Sequence, residues 1–565
     1  MSNLNAEAQV APVDRLPLEI WRQILWEYMH VDYQLDAHPH IAQDNRFPAA
    51  ICAVSRQWHE RFNPILYHRF DFGHLPTEIK PLWCFLRTLV ARPDLANLVR
   101  EITFFSPRVN VPFDFLERPD VKRHLESLYT PNKDLAQQAM VQARFDHSGL
   151  PGGDLMPLAT KYLSCDVSLN IDKNYHENLV AVLQALVLAH APQVTRLSLQ
   201  TLPNDPFLER ILYVAGAFRN NNSVGIAFQN LEVLNVAPNN TRNQYLGSSG
   251  VVRNGQTVLS SRRQYQNLPK LKELRLLAGR IDHNAVQDVT AVEKLCLADI
   301  HNYRDQIEPL LSLSSELRQL SISSRYEKGP LFHSKFWPFI SHLKDKLEYL
   351  DFYESPHNYM PNQTRYFHEV DDELSFCPPL AEFTKLRVLK TTPLILYGHN
   401  CKVHNTPRKL RSHMPPNLES LGLYTERSAW LSTYIPQLES ELEGIVLDAI
   451  PRQKLSHIVV DSIDRFPYMK MRTAAEQHNI RCVTPSGAMA CGGTETTFAD
   501  QCLPRNSTDA IKLNLSRNIA AAAMLPKRMQ VHSLDGTMKN AYDVRTKRLP
   551  PPLFMTPDQK RARLG

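Results

Sequence analysis

The hexads LRQLSI (317–322) and LEYLDF (347–352) share one pattern: an apolar residue, two variable residues, leucine, one variable residue and another apolar residue. Apolar residues in this alternation are typical of a short strand that buries one face. The pattern recurs, with isoleucine for leucine in two hexads and Thr391 in the last position of another. The other members are VREITF (99–104), VTRLSL (194–199), LEVLNV (231–236), LKELRL (271–276), VEKLCL (292–297), LRVLKT (386–391), LESLGL (418–423) and LSHIVV (455–460). From residue 197 onward the central residues are 21 to 40 apart, which predicts a repeat architecture with one strand and one helix per repeat.

Helical patterns lie between the hexads. They are HENLVAVLQALVLAHAP (176–192), DPFLERILYVAGAF (205–218) and RDQIEPLLSLSS (304–315). LEGIVL (442–447) also fits the hexad, but it precedes Ile458 so closely that we interpret it as the helical half of a repeat. CDVSLNI (165–171) is a weaker early member. The fold class is therefore α/β, either a solenoid with parallel strands or a compact domain with a parallel sheet, and the number of hexads favours the solenoid.

Three long segments each begin directly after a predicted strand, at 237–267, 353–379 and 391–416. Insertions at one point of a repeat emerge on one rim of a solenoid, so we expect these segments to cluster. Their alternative role is that of spacers without function. If they read a protein substrate, the candidate substrate-binding residues are Arg262, Arg263, Asp371, Asp372, Lys402 and Arg408.

The net charge of +6 comes from the C-terminal end of the chain. Residues 506–565 hold eleven Lys and Arg against four Asp, net +7, so the rest of the chain has a charge of −1. The composition of 488–565 predicts a mostly disordered basic tail, which could be a nuclear address, a nucleic-acid contact or simply a solvated segment. The charge gives no reason to expect that the body of the protein binds nucleic acid.

The nine cysteines are scattered and never spaced C-x-x-C, which favours a reducing compartment over a disulfide framework. The N-terminus lacks the apolar core of a signal peptide, and the best apolar run, 179–191, is too short to span a bilayer. We therefore expect an intracellular protein of the cytoplasm and/or nucleus, without a membrane partner.

Phosphate-binding glycine loops, nucleophile elbows and the H-E-x-x-H motif do not occur in the sequence. The nearest approach to a metal site is His399, Cys401, His404 and His413, whose spacing matches no familiar zinc site. We expect no cofactor and no metal. These absences do not exclude a catalytic Cys–His pair, because its members need not be neighbours in the sequence.

The segment RLPLEIWRQILWEY (15–28) predicts a helix, with Pro17 and Glu19 in its first turn. Its apolar residues Ile20, Trp21, Ile24, Leu25 and Tyr28 cover about 140° of the helix circumference, more than the ~100° that packing on one core needs. The helix could form an interface, or it could belong to a small three-helix core together with the helical pattern of 51–66.

Together, LPLEIWRQIL (16–25) and ICAVSRQWHERFNPILYHRF (51–70) resemble an F-box over about residues 14–69. The segment 30–47 makes the gap between the two halves longer than is usual in that family. The matching residues are Leu16, Pro17, Glu19, Ile20, Ile24, Leu25, Val54, Ser55, Arg56, Trp58, Leu66 and Tyr67.

The resemblance implies that this unit binds the adaptor subunit of a cullin-based SCF ubiquitin ligase, with Leu16, Pro17, Ile20, Ile24, Val54 and Trp58 in contact. An F-box followed by degenerate leucine-rich repeats resembles F-box/leucine-rich-repeat-like proteins, especially those of filamentous fungi. It implies a non-catalytic substrate receptor, and the alternative is an interaction scaffold that delivers no ubiquitin. The expected organisation is a disordered N-terminus (1–13), an F-box (14–70), connecting helices with a first repeat strand (71–165), the solenoid (166–487) and the tail (488–565).

Overall fold

The fold was derived from a computed structural model of the chain. It describes residues 20, 56–72, 79–104, 123, 126–150, 152–164, 175–201, 205–217, 227–238, 268–277, 292–300, 316–324, 340–354, 380–391, 396, 414–425, 438–447, 454–462, 469–483, 530–532 and 538–540. The chain divides into a unit Met1–Gly487 and a second unit Ala488–Gly565.

Twelve parallel strands form one sheet in the first unit. They are β1 (Arg69–Phe72), β2 (Glu101–Phe104), β3 (Arg196–Thr201), β4 (Val233–Pro238), β5 (Glu273–Leu277), β6 (Lys294–Ile300), β7 (Gln319–Ser324), β8 (Tyr349–Glu354), β9 (Val388–Thr391), β10 (Ser420–Thr425), β11 (His457–Ser462) and β12 (Arg481–Val483). All ten hexads form strands, as the sequence pattern predicts.

Helices occur between strands of this sheet wherever the structure describes enough of the connection. They are α2 (Lys80–Ala91), α3 (Pro93–Ala96), α4 (Lys133–Gln142), α5 (Met156–Leu163), α6 (Tyr175–Ala189), α7 (Pro206–Ala217), α8 (438–447) and α9 (Met469–Gln477). A further helix, α1 (Arg56–Leu66), precedes β1. Short 3₁₀ turns precede α4 (Thr130–Asn132) and β9 (Leu380–Glu382). The predicted helices at 176–192 and 205–218 are present as α6 and α7, and 442–447 is helical as interpreted. The predicted helix at 304–315 and the weak hexad at 165–171 lie outside the described residues.

The strands pair in chain order from β1 to β12 without a reversal. A doubly wound α/β domain reverses its strand order at a switch point, whereas stacked repeats keep it. The sheet is therefore consistent with a repeat solenoid such as a leucine-rich-repeat protein.

The central residues of the ten hexads form one aligned row across the sheet. Ile102 pairs with Leu197, Leu197 with Leu234, and so on to Ile458, with each pair in register on neighbouring strands. All ten side chains are at most 3% exposed. Phe70 on β1 and Cys482 on β12 continue the row at its two ends, where they are only partly buried. Burial of this row, at about 2 kcal/mol for each leucine, is a major part of what holds the repeats together.

A row of shared carbonyls lies just before the strands. The carbonyl oxygen of His68 accepts hydrogen bonds from the backbone N–H groups of Arg100 and Glu101, and that of Arg100 accepts two from the following repeat. The same arrangement recurs at ten carbonyls, from His68 to Glu419, with N–O distances of 2.7–3.1 Å. At the start of each strand from β2 to β11, two backbone N–H groups therefore donate to one carbonyl oxygen of the preceding repeat.

Helices α2 to α7, which precede β4, pack on one another and share the apolar core of the sheet. Helix α6 packs against α2, α4, α5 and α7, and its residues 181–183 and 185–188 are at most 2% exposed. Arg210 on α7 is fully buried and donates hydrogen bonds to the carbonyl oxygens of Arg144 and Gly153, in the segment between α4 and α5. Both of these residues have left-handed backbone angles, φ 58° and 69°, so the guanidinium holds a sharply turned segment in place.

In the second unit, the described residues form a two-stranded antiparallel ladder of β13 (Gln530–His532) and β14 (Met538–Asn540). The tail composition does not predict this pair.

Candidate interaction surfaces

Helix α1 carries most of the F-box-like pattern that the structure describes. Phe62 is 1% exposed, its ring lies 5.4 Å from that of Trp58, and Ile65 and Leu66 pack against the same small cluster. This cluster is separate from the apolar core of the sheet. The apolar face of α1 therefore has its own packing centre.

Two of the six candidate adaptor-binding residues can be placed. Ile20 is helical and 42% exposed, and Trp58 is partly buried on α1. An exposed isoleucine is compatible with an interface, but isolated exposed apolar residues are also common on monomers. The other four, Leu16, Pro17, Ile24 and Val54, lie outside the described residues.

Only a short turn separates α1 from the sheet. The N–H of Tyr67 donates to the carbonyl of Asn63 at 2.9 Å, and that of His68 donates to the carbonyl of Ile65 at 3.3 Å. The carbonyl of His68 then begins the row of shared acceptors. Helix α1 is thus joined to the first strand without an intervening linker.

The second candidate surface is the sheet face opposite the apolar row, which we call the polar face. It consists of the third and fifth residues of each hexad, because side chains alternate between the two faces of a strand. On its first strands Arg196 lies 3.7 Å from Glu101, and Asn235 donates to the Ser198 hydroxyl at 2.8 Å. Arg275 and Glu273, both on β5, form an ion pair there. On β2 to β5 the polar face therefore carries polar side chains that bond to one another.

A buried charged group lies on the polar face at β8 and β9. Asp351 and Lys390 are in register on the two strands, and neither is exposed. The hydroxyl of Tyr349 lies 3.3 Å from Asp351, and its ring lies 5.2 Å below the Lys390 ammonium. Charged side chains are rarely buried unless other groups compensate for the lost hydration. At β8 and β9 the polar face is therefore not simply a row of side chains in contact with water.

Beside this group, β10 places Ser420 and Gly422 on the polar face. Ser420 is 7% exposed, and its hydroxyl has no hydrogen-bond partner among the described residues. Gly422, in register with Lys390, contributes no side chain. Sequence reasoning missed these residues because they occupy the variable positions of the hexads. The signal was available, since LEYLDF and LRVLKT place charged residues inside otherwise apolar strands.

The six candidate substrate-binding residues, Arg262, Arg263, Asp371, Asp372, Lys402 and Arg408, lie outside the described residues. The structure does show where their segments begin. Strands β4, β8 and β9 are parallel, so all three segments leave from the same edge of the sheet, the one formed by the carboxyl-terminal ends of its strands. The segments after β8 and β9 start on neighbouring strands, whereas β4 is four strands from β8, or about 19 Å.

Charged residues pair with each other at the amino-terminal ends of the strands, which form the opposite edge of the sheet. The second hexad residues alternate in sign over seven successive repeats, as Glu232, Lys272, Glu293, Arg318, Glu348, Arg387 and Glu419. Arg387 forms two bonds to Glu419, at 2.7 and 2.8 Å, and Arg318 lies 3.4 Å from Glu348. Because these charges are matched internally, this edge offers little net charge to a partner.

Titratable groups give no indication of catalysis in the described part of the chain. Burial raises the pKa of the Cys482 thiol to about 11, which keeps it in the unreactive protonated form. No cluster of three or more His, Cys, Asp or Glu that could hold a metal occurs among the described residues. The candidate metal ligands His399, Cys401, His404 and His413 are not among them. Nor do the described helices include one long and apolar enough to cross a membrane.

Comparisons with protein-family models, with curated proteins and with solved structures found no match for this chain.

Proposed function

We propose that this protein is the substrate-recognition subunit of an SCF-type ubiquitin ligase. In this proposal residues 14–70 bind the adaptor subunit and, through it, the cullin. The repeat domain binds a protein target through its polar face and the segments that leave β8 and β9. The chain itself carries out no chemistry, and it contributes the local concentration of a target near the ligase.

The proposal depends most on the F-box-like pattern of 14–69, followed directly by a long sheet of parallel strands. Two described features support it. The α1 cluster around Phe62 is packed apart from the main core, as expected for a small unit with its own partner. The polar face provides an extended strand-lined surface, of the kind that stacked repeats use to bind proteins.

The test is affinity capture of the full chain from its own cells, followed by mass spectrometry. The wild type is compared with Leu16→Ala/Pro17→Ala/Ile20→Ala. We expect an adaptor and a cullin with the wild type and neither with the triple variant. Met469→Ala, which removes another exposed apolar side chain, serves as the control and should retain both. Absence of both subunits from the wild-type sample would refute the assignment.

A second pair of variants tests the polar face. Lys294, on β6, is partly exposed there, whereas Lys272 lies at the charge-paired edge. Lys294→Glu should lose a captured target and keep the adaptor, while Lys272→Glu, with the same change in charge, should keep both. Equal effects of the two variants would argue against target binding on the polar face.

The alternative function is an interaction scaffold that delivers no ubiquitin. Of the two candidate adaptor residues that the structure describes, Ile20 is exposed and Trp58 is partly buried, which is compatible with a scaffold, as is the long segment 30–47. The two functions differ in the fate of the bound proteins. A receptor predicts that a captured partner accumulates in cells carrying the triple variant, and a scaffold predicts unchanged levels.

A further inference from the structure

His190 lies directly after α6, at the turn that leads into β3, and is 8% exposed. Its Nδ1 lies 2.8 Å from the carbonyl oxygen of Leu186. A carbonyl oxygen only accepts hydrogen bonds, so Nδ1 must carry the proton and donate it. In the neutral ring Nε2 is then a bare acceptor, and it is buried without a hydrogen-bond partner among the residues that the structure describes.

A second proton on this ring would enter an unfavourable environment. It would create an Nε2–H donor without an acceptor and a positive charge away from water, and both are costly in a protein interior. Burial lowers the pKa of His190, and the bond to Leu186 opposes this effect only partly. The folded structure therefore favours the neutral ring.

No charged neighbour offsets this cost in the described part of the chain. The helices packed against α6 are α2, α4, α5 and α7. Their solvent-exposed charged residues are Lys80, Arg87, Lys133, Asp134 and Lys161. The less exposed ones on α7 and on the following strand β3 are Glu209, Arg210 and Arg196. None of these groups shifts the pKa of His190. The shift has two causes, burial and the hydrogen bond to the carbonyl oxygen of Leu186.

We infer that His190 is a proton-sensitive latch that holds the end of α6 and the turn into β3 closed while its ring is neutral. Uptake of a proton from solvent at Nε2 drives the ring outward and breaks the Nδ1–Leu186 bond. The backbone of the turn is held weakly, since the Ala191 N–H to Leu188 bond is 3.3 Å long and the Val194 N–H to Ala191 bond is 3.4 Å. This turn opens first.

The pH dependence follows from the direction of the shift. A histidine whose folded-state pKa is depressed stabilises the fold above its unfolded pKa, about 6.5, and that stability is lost as the pH falls. The latch is therefore closed at neutral pH, and the free energy that holds it closed falls progressively as the pH drops below about 6.5. This inference is independent of the proposed ligase function.

The test follows amide hydrogen exchange at residues 186–196 of the full chain from pH 7.5 to pH 5, corrected for the intrinsic pH dependence of exchange. In the wild type we expect protection to fall about tenfold for each unit by which the His190 pKa is depressed. His190→Asn keeps a donor at the position of Nδ1 but cannot be charged, so its protection should not change. His342→Asn, at an exposed histidine, should behave like the wild type.

A direct measurement keeps the inference testable if His190→Asn does not fold. Exchange of the histidine C2 hydrogen, followed by mass spectrometry, yields the pKa of each histidine in the wild-type chain. A His190 pKa below 6.5 with loss of protection confined to 186–196 supports the latch. A pKa at or above 6.5, or protection that does not change with pH, overturns it.

Discussion

Asp205 illustrates how one side chain in this protein is subject to opposing electrostatic effects. Its carboxylate precedes α7 and accepts hydrogen bonds from the N–H groups of Phe207 and Leu208, at 3.0 and 3.1 Å. Such a cap stabilises the start of a helix. Burial nevertheless outweighs these bonds and raises the pKa of Asp205 to about 6. The cap is thus partly protonated under mildly acidic conditions.

We predict that Asp205→Asn removes a pH dependence of stability. A raised folded-state pKa means that the stability contributed by the proton is fully present below about pH 4 and is lost as the pH rises through 6. Because asparagine caps without ionising, the variant should equal the wild type near pH 3.5 and exceed it by about 1–3 kcal/mol at pH 7.5.

Thermal unfolding of both proteins across this pH range provides the measurement for Asp205. Asp205→Ala, which removes the acceptor, should be less stable than Asp205→Asn at every pH. Parallel pH profiles for the wild type and Asp205→Asn would show that the carboxylate does not titrate as described.

At the level of the structural element, the strand of each repeat is a unit that the sequence specifies well. The hexad fixes three buried positions, and the ten predicted strands are all present. The two strands of this sheet that the hexad pattern misses, β1 and β12, lack the leucine anchor. In β1 the central residue is Phe70 in an aromatic context, and in β12 it is Cys482 with Asn479 at the first position. Both strands lie at an end of the sheet. The apolar pattern is weakest there because an end strand has fewer neighbouring strands to cover its apolar face.

The alternating charges at the edge of the strands allow a prediction about repeat packing. Arg387→Glu would place three acidic residues side by side, at 348, 387 and 419. It would also remove the two bonds to Glu419. We expect a loss of about 1 kcal/mol in the free energy of unfolding, smaller at high salt.

The double variant Arg387→Glu/Glu419→Arg is the matched control for this prediction. It restores one oppositely charged pair, leaves the like pair of residues 348 and 387, and brings the new arginine near Lys454, whose charge acts on Glu419 in the wild type. It should recover part of the lost stability in denaturant unfolding. No recovery, or a loss that does not depend on salt, would mean that cross-repeat charge is unimportant at this edge.

On the scale of the whole molecule, the sequence predicts the class of fold but not the interaction surfaces. A strand pattern repeated ten times leaves few topologies open, and the order of the strands follows from stacking. The polar face was not predictable in the same way, because its residues at 349, 351 and 390 occupy positions that the hexad leaves variable. These three residues come together only because β8 and β9 are neighbours and pair in this register. The sequence of a single repeat does not contain that information.

The division at Gly487 allows a prediction about the tail. Residues 488–565 carry twelve basic and six acidic side chains, so the fragment 1–487 is neutral. Because every core residue in the described part of the chain lies before this point, the fragment should unfold at the same temperature as the full chain, within about 2 °C. It should also elute from a cation-exchange column at lower salt. A clearly lower unfolding temperature would show that the tail stabilises the first unit.

The shared carbonyls before each strand also have a mechanical consequence. An interior repeat is held on both sides, because it accepts two backbone bonds from one neighbour and donates two to the other. A terminal repeat is held on one side only. Under a pulling force, or under attack by a protease, such a stack should shorten from its ends, one repeat at a time, while the middle stays intact.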